Sequence, residues 1–65
     1  MKINDFKKII DILIELGFGE EFLEASNDVI YLPVERSDIS DSNFKKLEEL
    51  EAWEDEENCC ISVWC

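Results

Sequence analysis

The sequence predicts an α/β fold, a small two-layer α+β-like domain in helix-strand-helix-strand order whose two strands run parallel. Three observations predict it. Apolar residues recur mostly at spacings of three and four in residues 6–16, Asp28-Val29-Ile30-Tyr31-Leu32-Pro33-Val34 has the β-branched and aromatic content of a strand, and Cys59-Cys60-Ile61-Ser62-Val63-Trp64-Cys65 repeats that content at the end of the sequence. A crossover helix between two adjacent strands makes them parallel and the connection right-handed. Two strands make a poor free-standing sheet, so extension of the sheet across a homodimer is expected as well. The 65 residues form one domain, 1–65, with no linker or internal repeat.

The first helix is expected to begin with Asn4 or Asp5 as its N-cap and to bury Phe6, Ile9, Ile10, Leu13, Ile14 and Leu16. Lys7 and Asp11 stand four apart and can pair on its outer side. Gly17 has the place of a left-handed C′ residue, with Phe18 folding back on the last turn. Glu20 to Glu24 reads as a single helical turn that drops Phe22 and Leu23 into the core, and Ser26-Asn27-Asp28 as the turn into the strand.

In that strand Val29, Tyr31 and Pro33 face one way, Ile30, Leu32 and Val34 the other, so both faces are substantially apolar: either helices or a partner cover the second face, or the sheet remains partly exposed. Pro33 lacks an amide donor and places the strand end, or a sheet edge, close by. Asp41 or Ser42 is the expected cap of a second helix carrying Phe44, Leu47, Leu50 and Trp53, which stops near Trp53 or Glu54 where acidic side chains oppose the negative helix end. In the last strand Cys59, Ile61, Val63 and Cys65 share one face, and Cys60, Ser62 and Trp64 the other.

Charge is the unusual feature. Seventeen acidic and six basic residues give a net charge of −11 without a single histidine. Lys2, Lys7 and Lys8 balance Asp5, Asp11 and Glu15, so the whole excess lies after Leu16. Such a field repels nucleic acid phosphates and anionic membranes and attracts a basic protein. With no 18-residue apolar run and no signal-peptide pattern at the start, a cytoplasmic setting is expected.

No motif for catalysis stands out. General-base chemistry would fall to a carboxylate, lysine or cysteine, and neither an EF-hand loop nor a phosphate-binding glycine loop is present. Asp38, Asp41 and the run Glu54 to Glu57 read as solvated charge, and Gly17-Phe18-Gly19 as a helix cap. Cys59, Cys60 and Cys65 lack C-x-x-C spacing and cannot complete a four-ligand zinc site in one chain, so neither cofactor nor metal is expected.

The acidic block remains. Seven of the ten positions from Glu48 to Glu57 are carboxylates: Glu48, Glu49, Glu51, Glu54, Asp55, Glu56 and Glu57. A rigid array of that kind fits a basic groove and speeds encounter with it. Trp53 inside the block is either its apolar anchor or the last core residue of the second helix. The expectation is a small acidic protein-interaction module, an inhibitor or regulator of a basic, nucleic-acid-binding protein, rather than an enzyme. The alternatives are a self-associating structural domain and, less favoured, a thiol- or carboxylate-dependent enzyme.

Overall fold

In the computed structural model, which describes all residues from Met1 to Cys65, the apolar period of the N-terminal segment forms α1 (Ile3–Glu15). The helix begins before Asn4: Lys2 is the N-cap, without a side-chain cap, and its carbonyl accepts from the amides of Asp5 (3.1 Å) and Phe6 (3.0 Å). Ile9 and Leu13 are buried, whereas Ile14, expected in the core, projects outward. The end is a Schellman motif, with Gly17 at φ 95°, its amide donating to Ile14, and the Phe18 amide donating 2.9 Å to the Leu13 carbonyl. Lys7 and Asp11 form the expected exposed ion pair at 2.8 Å.

The next segment departs from expectation. Residues after Phe18 turn without forming a helical unit, and Phe22 is 86% exposed and Leu23 40%. Glu24–Ser26 is a strand, β1, paired in a hairpin with β2 (Val29–Leu32) through Asn27, which adopts φ 56°. Asparagine tolerates that left-handed conformation better than most residues. Pro33 ends β2, as its missing donor requires.

A single 3-10 turn, Arg36–Asp38, follows; Asp38 and Glu35 cap each other reciprocally, and the Asp38 carboxylate accepts from the Glu35 amide at 2.8 Å. The turn delivers Ile39 to the core. Arg36 lies 4.4 Å from the centre of the Phe44 ring and pairs with Asp41, tying the turn to α2 (Asp41–Glu49). Ser40 is the N-cap of α2, one residue before the expected position, and accepts from the Asn43 amide at 3.3 Å.

The second helix ends at Glu49, not near Trp53. Glu51 adopts φ 71° and its amide donates to the Glu48 carbonyl, turning the chain into β3 (Ala52–Asp55). A four-residue turn with Cys59 at φ 53° then leads to β4 (Cys60–Trp64). Cys59 thus lies in the turn, not in the strand.

The sheet order is β1-β2-β4-β3, with every neighbouring pair antiparallel. This overturns the two-stranded parallel sheet in helix-strand-helix-strand order: the fold is mixed α+β, with four antiparallel strands and two helices. The physical cause is β3. Inserted after α2, it reverses the chain in a hairpin, so β4 enters beside β2 running the opposite way. Four strands within one chain also remove the need that motivated sheet extension across a dimer.

One face of the sheet carries Leu32, Ala52, Ile61 and Val63, which pack with Ile9 and Leu13 of α1, Leu47 of α2, and Val34 and Ile39 from the connection. Both helices therefore supply the same core, on one side of the sheet. Replacing Glu51 by glycine relieves the left-handed strain on a β-carbon, roughly 1–2 kcal/mol, against the roughly 0.5–1 kcal/mol by which glycine's extra chain entropy opposes folding. The difference lies between about 0 and 1.5 kcal/mol, so the expected result is a stabilisation of up to about 1.5 kcal/mol, read as a raised urea midpoint.

Candidate protein interface

Strand alternation sends a second set of side chains to the face without helices: Val29 and Tyr31 from β2, Cys60, Ser62 and Trp64 from β4, Trp53 and Asp55 from β3. Register places Tyr31 and Trp53 on either side of Ser62, Val29 beside Trp64, and Asp55 beside Cys60. The Trp53 and Trp64 rings meet at 4.9 Å between centroids with planes 35° apart. Trp64 remains 52% exposed. The apolar second face recognised in the sequence is thus left open by its own chain.

Ser62 is wholly buried although it stands on this open face. Large neighbours shade it, and its hydroxyl donates to Asp55 Oδ2 at 2.7 Å. Asp55 also accepts from Asn58 Nδ2 at 2.8 Å and from the Asn58 amide at 3.2 Å, so one carboxylate closes the β3–β4 turn and satisfies the buried serine. Hydrogen bonds from the Asn58 side chain and then from Ser62 hold the Asp55 carboxyl below its ordinary value of 3.8, against a weaker opposing desolvation.

A carboxyl whose folded pKa is depressed contributes stability above its unfolded pKa and loses that contribution as pH falls through the folded value. The stability advantage of the native protein over Asp55→Asn is therefore constant at neutral pH and shrinks below pH 3.8. Taking the difference between the two proteins removes the opposite trend from protonation of the other carboxylates. Urea melts across that range check it, and a difference independent of pH would reject the role of Asp55.

The acidic block does not form one helical array. Glu48 and Glu49 lie in the last turn of α2, Glu51 at the junction, Glu54 on β3 with its side chain opposite to Trp53, and Glu56 and Glu57 in the hairpin turn. Only Trp53 and Asp55 of the block share the open face. Trp53 is half-buried there against Trp64, not in the helix-side core. A strict spacing of three loses about 60° per step on a helix, so Trp53 would have stood about 180° around from Phe44 even had α2 continued.

Two depressions include residues of the open face, one through Trp64 and the other through Tyr31 and Cys60. In the first, Lys2, Asp5, Glu49, Leu50, Glu51 and Trp64 line about 480 Å³. In the second, Phe22, Glu24, Tyr31, Asn58 and Cys60 help to line about 320 Å³. Tyr31, Trp64 and Phe22 were not singled out as interface residues by the sequence. The signal for Tyr31 and Trp64 was their place in the strand alternation.

Charge is segregated across the layers. The strands and hairpin turns hold Glu24, Asp28, Glu54, Asp55, Glu56 and Glu57 and no Lys or Arg. Lys2, Lys7, Lys8, Lys45 and Lys46 all lie in or at the start of the helices, and Arg36 in the 3-10 turn. Cys59, Cys60 and Cys65 are free thiols, with Cys60 Sγ 3.5 Å from Ser62 Oγ. No helix is long and apolar enough to cross a membrane. Comparison with protein-family models, curated proteins and solved structures finds no match to the chain.

Proposed function

We propose that this chain is a small acidic interaction module that binds a basic protein through the open face of its sheet and regulates it by covering a surface otherwise used for nucleic acid. The observation that carries the reading is the tilted Trp53–Trp64 ring pair on a sheet whose strands and hairpin turns bear carboxylates and no cation. Aromatic side chains supply the desolvated contact area that a charged rim cannot, and the rim supplies steering and selects the sign of the partner. It acts by binding and not by chemistry on a substrate, inside the cell, where its three thiols stay reduced.

The test is capture from host lysate by the reduced, folded protein, with duplex DNA as competitor. Capture of a nucleic-acid-binding protein that DNA displaces supports the reading. Capture that DNA does not affect would remove the nucleic-acid component. A parallel variant, Glu54→Gln with Glu56→Gln and Glu57→Gln, keeps or raises stability by relieving repulsion and slows association, with a shallower salt dependence. Asp55 is left intact in it because its carboxylate holds the hairpin.

A further inference from the structure

We infer that the partner is held as an extended, basic strand added to the free edge of β3, an inference that rests on the basic-partner reading and specifies its mode of contact. β3 lies at the end of the sheet and pairs only with β4. None of the 13 backbone hydrogen bonds outside the helices and ladders involves Ala52–Asp55. The amides and carbonyls of β3 that point away from β4 are therefore free to pair with an incoming chain.

The usual protections of such an edge are a lysine, a proline or an inward-pointing charge. Ala52-Trp53-Glu54-Asp55 has no lysine and no proline; its one charge on the core-side face is Glu54, across from Ile61, and both charges it carries are carboxylates. These discriminate between occupants. A second copy would bring the same Glu54 and Asp55, and another −11 of net charge, against them. A strand bearing arginine or lysine at alternate positions meets the opposite sign.

Strand pairing also aligns side chains. Alternate residues of the added strand fall on the open face next to Trp53, where a cation can stack on an aromatic ring, and its basic residues lie within the field of Glu54, Glu56 and Glu57. The opposite edge lacks this combination. β1 spans three residues, and its open-face side chains are Glu24 and Ser26, with no aromatic ring.

The probe is an acetylated, amidated ten-residue peptide alternating arginine and valine, compared with the same peptide N-methylated at every residue. The charges are equal, but the second has no backbone N–H along its strand to donate. Binding is read by tryptophan fluorescence at low salt, and site by amide hydrogen exchange on the whole protein. The expected result is at least tenfold weaker binding of the methylated peptide, with protection of the outward amides of Ala52–Asp55 by the unmodified peptide alone. Equal binding without that protection, or protection at Glu24–Ser26 instead, overturns the edge inference and leaves the basic-partner reading standing. Protection of β3 before any peptide is added, with a dimer mass in sedimentation, overturns it in favour of a second copy. Failure of both peptides to bind overturns both readings.

Discussion

Leu32→Ala lowers the unfolding free energy by about 2–5 kcal/mol. Leu32 is 1% exposed, closes β2, and stands directly across from Ile61, which is wholly buried. Truncation removes the transfer energy of the lost methyl groups and leaves a cavity where β2, β4 and the helices converge. A domain of this size has roughly 3–10 kcal/mol of stability in all, at about 0.05–0.15 kcal/mol per residue, so the variant is expected to populate unfolded chains even without denaturant. Ile14→Ala is the matched control. Ile14 sits on the same helix as Ile9 and Leu13 but is 57% exposed, and its truncation should cost far less. Reduced urea melts with a common slope check both, and a Leu32→Ala midpoint equal to that of the native protein would reject the core assignment.

Trp64→Ala is expected to weaken binding of the arginine-valine peptide by about 2 kcal/mol or more, roughly 30-fold in Kd. Trp64 is half exposed and packs against Trp53, so the substitution removes its aromatic surface and leaves Trp53 without its neighbour. The aromatic contact itself contributes about 0.5–1.5 kcal/mol to the fold, and binding is therefore measured where the variant is folded by circular dichroism. Trp64→Phe, which keeps an aromatic ring at this position, should restore most of the affinity. An affinity for Trp64→Ala equal to that of the native protein, with an unchanged salt dependence, would show that charge alone carries the contact.

The two predictions concern opposite faces of one sheet, and those faces were not equally legible. Alternation in Val29 to Leu32 and Cys60 to Trp64 already separated Leu32, Ile61 and Val63 from Tyr31, Ser62 and Trp64. It also showed that the second face was apolar. The acidic block was visible as composition, but its shape was not, because its residues belong to a helix end, a left-handed junction, an edge strand and a hairpin turn.

By itself the sequence determined the features that depend on near neighbours. The apolar period produced α1, Gly17 its Schellman end, Asn27 a turn, Pro33 the end of β2, and the residue counts the charge. Tertiary structure decided what local preference opposes or leaves open. Ala52, Glu54 and Asp55 are poor strand formers, and β3 exists because β4 supplies its hydrogen bonds. Glu24-Ala25-Ser26 is a strand for the same reason, through β2. Glu51 and Cys59 hold positive φ without being glycine, so the signals that would have ended α2 and marked the hairpin were missing. Once those two strands form, the sheet becomes antiparallel, both helices share one face, and Trp53 stands with Trp64 on the other. Pairing between distant segments has no counterpart in local composition, and it is that pairing which creates the open aromatic face.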